Sequence, residues 1–103
     1  MHTADQETSD FQPIHPGEIL LEEFLKPMGI SQSRLAADID LSLRTINEII
    51  HGRRSITAET ALLLATYFGV TAESWVNLQS HYDLTKARQS MQAKIARVRP
   101  IAG

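Results

Sequence analysis

A chain of 103 residues, 43% of them hydrophobic, suffices for one domain with one modest core. It has no cysteine for a disulfide or a thiolate metal site, no apolar run of about 18 residues to span a membrane, and a polar, acidic start unlike a secretory leader, so a cytoplasmic protein is expected. The formal charge of −2 and pI of 6.0 weigh against nucleic-acid binding as a bulk property, but the charge is polarised: residues 1–30 carry six acids against one base, residues 42–56 carry Arg44, Arg53 and Arg54 against Glu48, and residues 84–103 carry five bases and no acid.

Residues 1–13 read as a polar, disordered arm closed by Pro13. A first helix is predicted from Pro16, which suits the first helical position, to Lys26, with Ile19, Leu20 and Phe24 on its apolar stripe and Pro27 and Gly29 as its stop. Ser31 caps a second helix reaching Ile39, on which Leu35, Ala36 and Ile39 recur at helical spacing. After a turn at Asp40 to Ser42, with Ser42 as the next cap, a third helix runs from Leu43 to His51, its inner face made by Ile46, Ile49 and Ile50 and its end marked by Gly52. Thr57 caps a fourth helix, Ala58 to Phe68, with Ala61, Leu62, Leu64, Ala65 and Phe68 as core candidates, and Gly69 ends it. Thr71 opens a fifth at Ala72. A narrow apolar seam, Leu84, Ala87, Met91, Ile95 and Val98, continues beyond it. Asp83 offers a cap for a separate segment, and the pattern leaves open whether one helix runs unbroken to Val98. The reading is all-α: an arm over 1–13, a five-helix domain over 14–80 and a helical extension over 81–103.

Residues 31–54 carry the functional signal. Two short capped helices joined by about three residues cross steeply and pack through Leu35, Ala36, Ile39, Ile46 and Ile49, the small Ala36 permitting close approach. The third helix then turns Leu43, Arg44, Asn47, Glu48 and His51 to solvent. Arginine can bond guanine bidentately, asparagine can bond adenine, and leucine can touch a thymine methyl. Nine helical residues span roughly 13 Å, comparable with a major groove about 12 Å wide. Gln32 stands at the start of the second helix, where a polar side chain and backbone N–H groups can hold a phosphate. Arg53 and Arg54 follow the third helix where the DNA backbone would pass. The plain alternative is a helical hairpin whose polar face is merely solvated.

Residues 31–54 resemble the helix-turn-helix of the lambda-repressor-like, XRE-type family. IHPGEILLEEFLKPMGIS at 14–31, INEIIHGRRSIT at 46–57 and WVNLQSHYDLTKA at 75–87 resemble the HigA-type antitoxins, also called virulence-associated protein I-like. That resemblance implies a repressor bound to the operator of its own toxin–antitoxin operon, and a small basic partner: a ribosome-dependent, mRNA-cleaving toxin of the RelE-like type. It carries the family's DNA-contact positions onto Gln32, Ser42, Arg44, Thr45, Asn47, Arg53 and Arg54. Asp40 departs from the glycine often found at its turn position, and aspartate tolerates a left-handed backbone better than most residues.

The other residue patterns are less pointed. His2, His15, His51 and His81 form no i+3 or i+4 pair, so no metal is expected, and no nucleophile–base–acid set or cofactor motif is evident. The acids between Asp5 and Glu23 are the obvious surface for a basic toxin. One recognition helix discriminates little in a genome, so a homodimer is expected, with two helices about 34 Å apart. Trp75, Val76, Leu78, Tyr82, Leu84, Met91 and Ile95 supply its candidate interface, with core packing as the competing role for Trp75. A solitary regulator without a toxin and a pure protein-interaction module are the competing functions; an enzyme is not expected.

Overall fold

The computed structural model describes residues 12–102. Expectations for residues 1–11 lie outside the described residues. Within them the chain forms six helices and no strand: α1 (residues 16–28), α2 (Gln32–Asp38), α3 (Leu43–Ile50), α4 (Ala58–Phe68), α5 (Ala72–Ser90) and α6 (Gln92–Arg97).

The helix starts follow from local capping. The Ser31, Ser42, Thr57 and Thr71 side chains accept hydrogen bonds from the backbone N–H groups of Arg34, Thr45, Thr60 and Ser74. Each satisfies a donor that the helix itself cannot pair. The ends of α1 to α4 follow from left-handed residues. Gly29, Gly52 and Gly69 take positive φ, and Asp40 does so at φ 60° as the one non-glycine among the described residues. At Asp40 the Leu41 N–H reaches the Ala36 carbonyl at 2.9 Å, closing the last turn of α2 with the same bond pattern that Gly52 gives α3.

Two stretches depart from the sequence reading. The first helix does not stop before Pro27. It consists of α-helical Pro16–Ile19, a π-helical Leu20–Leu25 and Lys26–Met28, and it ends at Gly29. Proline in a helix lacks an N–H and crowds the carbonyl four residues back; here the turns just ahead of Pro27 are widened, and the Lys26 N–H bonds to the Leu21 carbonyl. The second departure is in α5, which runs through Asp83 and the expected division at residue 80. The interruption comes at Met91, whose φ of −116° separates α5 from α6. Asp83 does not cap a helix; its carboxylate accepts instead from the Gln79 amide at 3.0 Å.

The core is built from Leu20, Leu25, Leu35, Ile46, Ile49, Ala61, Leu64 and Trp75, all essentially solvent-free, with Ala36, Ile39, Ile50 and Ile56 beside them. Phe24 bridges Phe68 and Trp75 at centroid distances of 4.9 and 5.2 Å, so an aromatic cluster ties α1 to α4 and α5. Tyr67 donates to Asp38, which also pairs with Arg34, and this joins the end of α4 to α2. Leu62, read as core, is 60% exposed, because Ala61 and Leu64 fill the face of α4 that turns inward. Trp75 is 1% exposed in the single chain, so it belongs to the core and is not available to a second copy.

The crossing of α1 and α3 is set by one residue. At Gly17 an added Cβ would stand 1.8 Å from the Ile49 carbonyl oxygen. The two backbones touch there, and α1 thereby braces the back of α3.

Candidate nucleic-acid interface

Helices α2 and α3 pack on each other through Leu35, Ala36, Ile39, Ile46 and Ile49, all buried. This commits the inner stripe of α3 and leaves its other side to solvent. Leu43 is 48% exposed and the Arg44 side chain 86% exposed, while Asn47 and Glu48 are half-buried at the edge of the same face.

The side chains of that face are held in a fixed arrangement. The Ser42 hydroxyl accepts the Thr45 N–H at 3.0 Å and shares a hydrogen bond with the Thr45 hydroxyl at 2.8 Å, so both polar groups gather at the start of α3. Asn47 Nδ2 donates to Gln32 Oε1 at 3.2 Å, joining the middle of α3 to the start of α2. His51, exposed at the end of α3, keeps its Nδ1 2.9 Å from the Asn47 carbonyl. Glu48 lies between two arginines: Arg44 Nε meets Oε2 at 3.1 Å, and Arg54 Nη2 meets Oε1 at 2.6 Å. The hydrogen bonds from Arg54 and then Arg44 hold the Glu48 carboxyl below the usual carboxylate range.

The turn after α3 delivers Arg53 and Arg54 to this side. Gly52, at φ 75°, lets the Arg53 N–H return to the Glu48 carbonyl at 2.8 Å. His15 lies beneath that turn, its ring 3.6 Å from where a Gly52 Cβ would be. His15 Nδ1 accepts the Gly17 N–H at 2.9 Å, capping α1, and its ring meets Tyr82 edge-on at 4.8 Å. Burial lowers its pKa from 6.5, with Asp83 partly opposing. Beyond the arginines, the buried Gln79 of α5 accepts the Ile56 N–H at 2.8 Å.

The sequence-predicted residues therefore fall into two groups. Gln32, Ser42, Leu43, Arg44, Thr45, Asn47, Glu48, His51, Arg53 and Arg54 gather around α3 and its two ends. The C-terminal candidates do not gather in the same way. Trp75 is core, Tyr82 is half-buried against His15, Val76 and Leu78 flank the buried stripe of α5, and Leu84, Met91 and Ile95 are exposed further along. His15, which the sequence places at a helix start, caps α1 as expected; sequence reasoning missed Gly17 and Gln79 as supports. Gly17 had a signal, since glycine early in a helix is disfavoured unless something needs the space; Gln79 had none. Among the described residues no three His, Asp or Glu side chains group as metal ligands, and no helix is long and apolar enough to cross a membrane.

This arrangement of a braced pair of helices with an outward polar face has close counterparts. The family described as helix-turn-helix matches residues 21–75. The virulence-associated protein I of Dichelobacter nodosus is 52% identical over 85 residues, covering 82% of this chain and 79% of that protein. The chain belongs to the HigA-type branch of the helix-turn-helix family. Another relative, the antitoxin HigA-1 of Vibrio cholerae, is 37% identical over 90 residues, covering 87% of this chain and 85% of its own. Among solved structures, the Pseudomonas aeruginosa antitoxin HigA with the higBA promoter superposes with a TM-score of 0.84 at 41% identity, covering 87% of this chain and 99% of that one. The likeness to HigA thus extends well beyond the helix-turn-helix, across α1, α4 and most of α5.

Proposed function

We propose that this chain is a cytoplasmic antitoxin that binds operator DNA as a homodimer, represses its own operon and neutralises a small basic toxin of the RelE-like type. The observation that carries the DNA-binding part is the outward face of α3. Its apolar stripe is consumed by the core, while Arg44, Asn47 and Leu43 remain outside on a helix of major-groove length. The Pseudomonas HigA structure holds promoter DNA, and its fold is superposable over nearly its whole length. Gln32, Ser42, Thr45, Arg53 and Arg54 stand where phosphates would pass on either side, and Glu48 and His51 complete the face.

The homodimer follows from the need to read two half-sites. Val76, Leu78, Leu84, Met91 and Ile95 are exposed in the single chain and supply apolar surface for it. The toxin part rests on membership of the antitoxin branch, with the exposed Glu22 and Glu23 as acidic surface for a basic partner. No step of this function requires catalysis, a metal or a cofactor.

The test is anisotropy titration of DNA from upstream of the gene, at fixed salt, against a scrambled duplex. Arg44→Ala and Asn47→Ala each weaken operator binding by roughly 1–3 kcal/mol and relax preference at one base pair. Unchanged operator affinity in both variants refutes the groove-reading role of α3. Sedimentation of the intact protein and of Leu84→Lys/Met91→Lys tests the dimer: a monomeric intact protein at micromolar concentration refutes it. Co-purification with a protein encoded beside it tests the toxin.

A further inference from the structure

On the reading that α3 enters the major groove, we infer that Glu48 sets sequence discrimination without reading a base itself: it orients Arg44 and masks the charge of Arg54, so that DNA lacking the right bases is bound poorly. Three observations carry this. The Glu48 side chain is 23% exposed and its two oxygens are divided between the arginines, Oε2 to Arg44 Nε at 3.1 Å and Oε1 to Arg54 Nε at 2.8 Å and Nη2 at 2.6 Å. The geometry is anchored at both ends, because Glu48 and Arg44 are one turn apart on α3, and Arg54 is returned to the helix by the left-handed Gly52. The two arginines are also used differently. Arg44 is engaged through Nε alone, which leaves its terminal nitrogens free for the O6 and N7 of a guanine. Arg54 presents both Nε and Nη2 to the carboxylate, the fork it would otherwise offer to a phosphate.

The consequence is a difference between two affinities. On the operator, Arg44 makes its base contact while the Glu48 bond stays in place and fixes its direction. On random DNA only phosphates attract the protein, and part of the arginine charge is already neutralised within it. Discrimination arises from that difference. The ionised state this requires is supported by the depressed pKa of the carboxyl.

Glu48→Gln keeps the size and one oxygen but removes the charge. Its binding to the operator and to a scrambled duplex is measured across a salt series, beside the wild type and Asp40→Asn. Asp40 is an exposed acid in the same helix-turn-helix that makes no ion pair with any described residue. For Glu48→Gln the affinity for scrambled DNA rises several-fold, the salt slope on that DNA steepens by about one, and the ratio of operator to scrambled affinity falls several-fold. Asp40→Asn strengthens both DNAs alike and leaves the ratio unchanged. A Glu48→Gln ratio equal to or above the wild type's overturns the inference. A loss confined to the operator, with scrambled binding unchanged, overturns the masking of Arg54 and with it the inference as stated. A wild type that shows no preference for the operator refutes the DNA-binding reading itself, a result distinct from either.

Discussion

Gly17→Ala separates two opposite expectations. Helix propensity alone favours alanine over glycine by about 1 kcal/mol. The structure demands the reverse sign. The new Cβ would lie 1.8 Å from the Ile49 oxygen, 2.6 Å from its carbonyl carbon and 3.0 Å from Ile50 Cα, all backbone atoms that cannot rotate aside. Restoring an ordinary contact requires α1 and α3 to part by roughly 1.5 Å, which also loosens the packing of their buried side chains. Overpacking of this kind costs about 1–3 kcal/mol and more where only backbone can yield. The net expectation is a loss of about 2 kcal/mol, or roughly 10–15 °C in Tm for a domain of this size. Thermal denaturation followed by circular dichroism measures it. Gly29→Ala is the comparison, because its Cβ meets nothing within 4 Å and only the φ of 66° penalises it; its loss is the smaller. A Gly17→Ala protein as stable as the wild type, or more stable, refutes the claim that the crossing is fixed at this residue.

Three further outcomes follow from the same structure. His15 is held below its ordinary pKa near 6.5, chiefly by burial, so the unfolded chain takes the proton more readily and stability falls as pH drops below about 6.5. His15→Asn, which keeps a capping oxygen, flattens that dependence in melts between pH 5 and 7; an unchanged slope assigns it to another group. Asp40→Gly removes a left-handed non-glycine residue and raises stability by about 0.5 kcal/mol, a shift of roughly 2–4 °C in Tm, and a fall in Tm would count against the strain assigned to that turn. Arg53→Ala weakens operator and scrambled DNA about equally and lowers the salt slope by about one; a loss restricted to the operator makes Arg53 a base reader.

What the sequence reveals here is what neighbouring residues decide among themselves. Ser31, Ser42, Thr57 and Thr71 are legible as caps because the donor each satisfies is three residues away. Gly52 and Gly69 are legible as stops, and Asp40 as a tolerable substitute, because the conformation belongs to the residue. Trp75 was ambiguous for the opposite reason: an apolar stripe on a helix looks the same whether its own domain or a second copy covers it. Leu62 was misassigned because α4 is apolar almost all round, so periodicity could not choose the inward face. The widened turn in α1 and the bond from Gln79 to Ile56 depend on tertiary neighbours. Around α3 the identities of the exposed residues were readable, but not the pairing of Glu48 with both arginines, since Arg54 reaches it only after the chain reverses at Gly52.

The Ile56 amide belongs to no helix, yet its hydrogen bond runs to a buried side chain in the middle of α5. Amide protons in connecting segments commonly exchange with solvent through small local openings. This one cannot be released unless Gln79 leaves the core or the segment lifts away with buried Ile56. The segment that carries the arginine pair is therefore tied to α5, and exchange at Ile56 is expected to follow the opening of that helix. Whatever tightens or loosens α5 from outside alters the protection of Ile56, a reporter set just past the nucleic-acid face.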